Sequence, residues 1–177
     1  RLDKKEIQGS HIYNYPLSKA YRDGIFGSIS FLPIDEAADK DKLIAIEAER
    51  VLLNDRSDGY EHYLMVRTDT KDKAKGLEEL YKENTSLRLR RIDSSMTFGT
   101  IQRTIKALRN KELDGIICVD MLGEGFDFPN LKIAAVHEPQ KSLASTLQFI
   151  GRFARTNADN IGTAKFIAMN DEALRIE

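Results

Sequence analysis

The chain predicts an α/β domain of three layers, a mostly parallel sheet flanked by helices on both faces, and three observations carry that expectation. Short apolar runs alternate with longer segments of helical period, which is the order that parallel strands joined by crossover helices require. The runs are apolar enough to be covered on both sides, as strands of a parallel sheet are. With 177 residues and 41% hydrophobic composition, the chain suffices for one well-packed domain.

Residues 1–34 mix polar, aromatic and turn residues, with Pro16 and Asp23-Gly24 as breakers, before a short apolar strand from Ile25 to Leu32. They are expected to form an inter-domain linker with one strand, and residues 35–177 the domain proper. Asp35-Glu36-Ala37-Ala38 imitates a magnesium-binding DExx box. It is set aside because Pro33 should break the strand that would hold it and no phosphate loop precedes it. Asp35 is expected instead to cap the helix that follows.

That helix, from Ala37 to Asn54, carries Leu43, Ile44, Ile46, Ala48, Val51 and Leu52 at helical period with a polar side. A strand from Glu61 to Arg67 comes next, then a helix from Lys71 to Lys82 with Leu77, Leu80 and Tyr81. Leu87 to Ile92 alternates as a strand does, and Thr97 to Asn110 reads as a helix with Ile101, Ile105 and Leu108 inward. Asp114 to Val119, Lys132 to Val136 and Ala164 to Met169 complete the strands.

Net charge is −1 with 31% charged residues, so no global field draws the chain to polyanions and any nucleic-acid contact must be local. No apolar run approaches bilayer length, and no membrane partner is expected. The single cysteine, Cys118, excludes an intrachain disulfide and fits a reducing, cytoplasmic compartment. His11, His62 and His137 are widely separated, and no structural metal is expected. A start at Arg1 with no signal-peptide pattern leads to the expectation that the sequence is a fragment of a larger protein.

Two motifs carry chemistry. Gln148-Phe149-Ile150-Gly151-Arg152-Phe153-Ala154-Arg155 places an amide and two guanidinium groups at spacings of four and three. On a helix with Leu143 at zero, Leu147, Ile150 and Ala154 fall within about 40° of it, and Gln148, Arg152 and Arg155 at about 120 to 180°. One face packs and the other presents fixed positive charge. Upstream, Cys118-Val119-Asp120-Met121-Leu122-Gly123-Glu124-Gly125-Phe126-Asp127-Phe128-Pro129 continues an apolar run into a glycine-punctuated loop. Loops leaving buried strands are where α/β proteins place ligands, Gly123 and Gly125 allow close backbone approach, and Asp127 can accept hydrogen bonds from a hydroxyl.

In this order and at this distance, the pair resembles motifs V and VI of superfamily 2 helicases and translocases, in their C-terminal, second RecA-like domain. The resemblance runs from Tyr15 to Met169, and its Gly125-Phe126-Asp127-Phe128-Pro129 form looks most like the restriction-enzyme and DNA-repair branch of DEAD/DEAH-type proteins. Glu124 stands where the RNA branch usually has arginine, and Val119 where a threonine is common. What the resemblance implies is the motor half of an ATP-dependent helicase or translocase acting on DNA, with RNA not excluded. ATP and Mg2+ would be held mainly by an N-terminal RecA-like domain of the same protein. Arg152, Arg155 and Gln148 would be the catalytic residues, and Gly125 and Asp127 would meet the nucleotide. Arg67, Thr68, Ser94 and Met121 would touch the nucleic-acid strand. Independently of the resemblance, the basic residues Lys71, Lys73, Lys75, Arg88, Arg90 and Arg91 could extend a phosphate track or simply be solvated. By itself this chain would hydrolyse no ATP. The competing reading is a non-catalytic RecA-like module for nucleic-acid docking or protein interaction, against which the intact Gln148, Arg152, Arg155 and Asp127 argue.

Overall fold

A computed structural model of the protein describes residues 30–35, 38–119, 128, 130–138 and 162–169. Among them the order is β1 (Ser30–Ile34), α1 (Lys40–Ser57), β2 (Tyr63–Thr68), α2 (Lys71–Asn84), β3 (Leu89–Ile92), α3 (Phe98–Arg109), β4 (Gly115–Val119), β5 (Leu131–Val136) and β6 (Lys165–Met169). The six strands form one sheet in the order β1-β6-β5-β2-β4-β3. Every pairing in it is parallel. No helix among the described residues is long and apolar enough to cross a membrane.

The central strand β2 is buried along its whole length, and its alternating side chains divide the core. Leu64 and Val66 face α1 and α2, packing with Ile44, Leu52, Leu77 and Tyr81. Tyr63 and Met65 face the opposite side, in a cluster with Ala107 and Leu108 of the α3 segment and Phe166 of β6. Strand period two thus distributes one sequence between two layers of helix. At Gly115 the strands meet so closely that an added Cβ would lie 2.1 Å from the carbonyl oxygen of Leu64.

The helix ends follow local chemistry. Thr70 Oγ1 accepts the Lys73 amide at 3.2 Å and Thr97 Oγ1 the Thr100 amide at 3.3 Å, each satisfying a first-turn donor. Asp72 in the first turn of α2 and Lys82 in its last complement the helix dipole.

Three expectations need correction. Pro33 does not break its strand: β1 runs through it to Ile34, with Pro33 beside Ala168. The Ser30 amide donates inward to Ala164 at 2.9 Å. By alternation the nitrogen of Pro33 faces away from β6, on the side where β1 has no neighbour among the described strands and no ladder bond with them is lost. Asp35 does not cap the next helix, because a turn at Ala38 and Asp39 intervenes and α1 starts only at Lys40. In α1 the buried arc is Ile44, Ala45, Ala48, Val51, Leu52 and Asp55, while Leu43 and Ile46 are 41% and 44% exposed. The sheet covers one arc of the helix, and these two residues lie outside it.

At the amino ends of the strands Asp114 ties three elements together. Its carboxylate accepts Arg56 Nη1 at 2.7 Å, the Arg88 amide at 2.8 Å and Arg88 Nε at 3.2 Å. Nearby, Asp55 of α1 is paired with His62 Nδ1 at 2.7 Å and with Lys165 of β6.

Candidate functional site

The parallel register aligns the carboxyl ends of the strands in a single row. Ile92 lies beside Cys118, Cys118 beside Arg67, Arg67 beside Val136, Val136 beside Ala168 and Ala168 beside Pro33. One residue further on, Asp93, Val119, Thr68 and His137 form a common rim. Val119, from which the glycine-rich motif continues, pairs with Thr68. In open α/β sheets this rim is where ligands bind.

Arg67 and Thr68 end the central strand and are only 2% and 1% exposed. The Arg67 carbonyl accepts the His137 amide at 3.1 Å, so the exits of β2 and β5 are fastened to each other. Thr68 Oγ1 is buried and has no hydrogen-bond partner among the described residues. Burying an unmade hydroxyl costs roughly 1 to 3 kcal/mol, so the position is poised to gain a partner.

The turn after β3 is built differently. Asp93 Oδ1 accepts the Ser95 amide at 2.9 Å and also the Ser95 hydroxyl, while the Met96 amide returns to the Asp93 carbonyl at 3.1 Å. These hydrogen bonds, with Lys71 Nζ 3.7 Å away, hold the Asp93 carboxyl below its usual range. With Asp93 and Ser95 engaged in the turn itself, Ser94 stands exposed at its tip.

Beside β2, the rim holds a buried polar chain that joins α1, α2 and β5. Tyr81 Oη lies 2.9 Å from His137 Nε2, and His137 Nδ1 lies 2.8 Å from Asp41 Oδ1. A carboxylate only accepts, so Nδ1 carries the proton, and the Tyr81 hydroxyl donates to Nε2. Lys73 Nζ then bridges Asp41 at 3.2 Å and Glu138 at 3.1 Å. Burial lowers the His137 pKa below the ordinary histidine value, against the opposing pull of Asp41. Burial would raise that of Asp41, but hydrogen bonding and charge from His137 and Lys73 prevail and bring it to about 2. Burial, helped by Asp41, raises the Tyr81 phenol well above its usual range.

Of the residues singled out from sequence, Arg67, Thr68 and Ser94 lie on this rim. Met121, Gly125, Asp127, Gln148, Arg152 and Arg155 lie outside the described residues, as does the helix face of Leu143, Leu147, Ile150 and Ala154. Arg88 sits at the opposite end of the sheet on Asp114, and Arg91 Nε is bonded to Glu78 at 3.1 Å, so neither is a free phosphate contact. The Asp41–His137–Tyr81 chain was not legible beforehand: its members are 96 and 56 residues apart, with no local spacing to mark them.

Comparison with known proteins shows the family and the fold. The family profile described as helicase conserved C-terminal domain matches residues 45–157. UvrABC system protein B of Fusobacterium nucleatum is 33% identical over 129 residues, covering 69% of this chain and 17% of that protein. The same protein of Serratia proteamaculans is 33% identical over 122 residues, covering 65% of this chain and again 17% of the relative. The chain therefore spans about a sixth of the length of these curated relatives. Among solved structures, Mss116p DEAD-box helicase domain 2, bound to an RNA duplex, superposes with a TM-score of 0.57 at 20% identity, covering 82% of this chain and 56% of that one. The Pyrococcus furiosus Hef helicase domain does so with a TM-score of 0.51 at 15% identity, covering 73% and 26%. At these identities the structural matches establish a shared fold, the RecA-like α/β arrangement with its parallel sheet.

Proposed function

Because the chain belongs to the helicase conserved C-terminal domain family, we propose that it is the C-terminal motor domain of an ATP-dependent superfamily 2 helicase or translocase acting on DNA. In this reading it supplies arginine fingers and part of the strand-binding surface to an ATP site that an N-terminal RecA-like domain completes. The observation that carries the proposal is the rim. The register brings the exits of β2, β4 and β3 side by side, so residues contributed by three separate loops can address one ligand.

Exposed Ser94 is proposed to hydrogen-bond the sugar-phosphate backbone, a contact that fixes register without reading sequence. The orphaned hydroxyl of Thr68 fits a role beneath the strand, with Arg67 as the charged support behind it and Met121 in the adjoining loop. DNA is preferred on the Gly125-Phe126-Asp127-Phe128-Pro129 form of the motif.

ATP with Mg2+ supplies the phosphoryl group whose transfer to water drives the cycle. The ligands of the metal are proposed to come from the preceding domain; the described residues hold no group of three His, Cys, Asp or Glu side chains able to bind one. Arg152 and Arg155 are proposed to face the γ-phosphate, where a planar, permanently charged fork matches the charge that spreads over the equatorial oxygens. Asp127 and Gly125 would receive the nucleotide on its sugar side, and Gln148 would help tie the cleft shut. Closure of the two domains on the nucleotide would then be coupled through the motif after β4 to the grip on the strand.

The test is Arg155→Ala in the whole protein. Nucleic-acid-stimulated ATP hydrolysis should fall by about 10³-fold or more, the range known for arginine fingers, with the melting temperature unchanged. Normal turnover would remove the arginine-finger role. Stimulation by RNA but not by DNA would overturn the substrate assignment.

A further inference from the structure

Among the described helices, one differs from the other two in charge. Both α1 and α2 mix acidic and basic residues, but α3 contains Arg103, Lys106 and Arg109 and no acid. All three are exposed, and none forms an ion pair with a described residue; Arg103 reaches only its own helix, at Thr100 Oγ1, 3.1 Å. At the head of α3, Phe98 is 70% exposed, more than any other large hydrophobic among the described residues. Phe98, Gln102, Lys106 and Arg109 fall within about 80° of arc, in a row about 16 Å long.

We propose that this face of α3 is a second strand-binding surface, on which a base of single-stranded nucleic acid stacks on Phe98 while Lys106 and Arg109 neutralise the phosphates that follow. The inference rests on the strand-binding reading of the rim and extends it outward along the β3 edge. Four observations carry it. Phe98 opens the helix that follows the Ser94-bearing turn, so the ring and the exposed rim residue belong to adjoining segments. The backbone that carries the ring is fixed, since Met96 packs against the core and Thr97 caps the helix. Its neighbours on the exposed arc, Gly99 and Gln102, are not apolar and Ile101 beside it is only partly exposed, so the apolar surface here is a single ring rather than a broad docking patch. An aromatic face followed by unpaired cations is the chemistry that binds bases and phosphates without sequence preference. With a net charge of −1, such a concentrated patch is the kind of local attraction the chain needs for a polyanion.

The experiment titrates the full chain against fluorescein-labelled oligothymidylate of about 15 nucleotides, over a range of salt concentrations. The double variant Lys106→Gln/Arg109→Gln should bind about tenfold more weakly at low salt. Its slope of log affinity against log salt should be shallower by about 1.4, two phosphates at about 0.7 each. Phe98→Ala should lose about tenfold with the slope intact. The chain has no tryptophan, so Phe98→Trp introduces a single reporter that stacking should quench; circular dichroism shows that each variant is folded. Absence of quenching, or wild-type affinity and slope in both other variants, overturns the inference. So does tighter binding of labelled polyglutamate than of the oligonucleotide, which would make the face a dock for an acidic protein. Ser94→Asp separates the two readings. If it alone weakens binding, the rim reading survives and the α3 surface falls; if only the α3 variants weaken binding, the reverse holds. The ATPase test of Arg155→Ala reads the motor assignment independently of both.

Discussion

Nδ1 of His137 stands 2.8 Å from Oδ1 of Asp41, joining the exit of the buried strand β5 to the first turn of α1 across 96 residues of sequence. The ring is fully buried, burial favours its neutral form, and its other nitrogen is held by Tyr81. Glu138, the next residue, is held by Lys73, so the chain enters the stretch leading to Gln148 and Arg152 from a fixed point.

This chain of groups makes stability depend on pH in a definite direction. Burial keeps His137 below its ordinary value of 6.5, so as pH falls through that value the unfolded chain takes up a proton before the folded one does. Its contribution is complete above 6.5 and declines below. Asp41, lowered to about 2, contributes fully above its unfolded value near 3.8 and loses that contribution as pH falls toward 2. Thermal unfolding should show a lower melting temperature at about pH 5.5 than at about 7.5, and a further drop near pH 3. His137→Gln should cost about 2 kcal/mol at neutral pH and flatten the first of these steps.

Gly115→Ala should destabilise the domain by about 2 to 3 kcal/mol, because the new methyl group would meet the Leu64 carbonyl at 2.1 Å and the paired strands would have to part. Urea denaturation monitored by circular dichroism gives the midpoint; an unchanged midpoint would mean that β2 and β4 are not so closely apposed.

Asp114→Asn removes the charge that holds Arg56 and Arg88 together at the amino ends of the strands. A loss of about 1 to 2 kcal/mol is expected in denaturant titration, since Arg88 is largely exposed and its pairing is screened. Nucleic-acid-stimulated ATPase activity in the whole protein should be unaffected, because the cluster lies at the opposite end of the sheet from the proposed site.

Thr97→Ala removes the oxygen that accepts the Thr100 amide at the start of α3 and should cost about 1 kcal/mol, while Thr97→Asp should retain most of that stability. Equal melting temperatures for wild type and alanine variant would show that the cap contributes nothing.

The described fold was legible in sequence wherever one local rule decided the outcome. The apolar runs of β2, β4, β5 and β6 and the helical period of α2 and α3 gave elements within a few residues of those observed. Reading failed where a partner was distant. Arg88 looks like a phosphate ligand until Asp114, 26 residues away, is seen to occupy it. His137 looks like a lone histidine until α1 and α2 bring Asp41 and Tyr81 to either side of its ring. Leu43 and Ile46 satisfy a helical pattern, but only the packed sheet decides which arc of α1 is covered. Ser94 was visible as a turn residue, whereas its exposure follows from Asp93 holding Ser95 within the turn.

Pro33 has a consequence beyond its fit at the margin of the sheet. Sheet margins are templates on which other chains nucleate, and a strand approaching β1 from outside would seek backbone donors from Phe31 and Pro33, of which proline has none. On the opposite margin among the described strands, β3 presents the exposed Arg90. Among the described residues the two outer strands thus differ in means, a missing amide on one and the exposed charge of Arg90 on the other. That protection matters most while the chain is emerging and its partners are crowded around it, when Pro33→Thr would leave an inviting surface for misassembly.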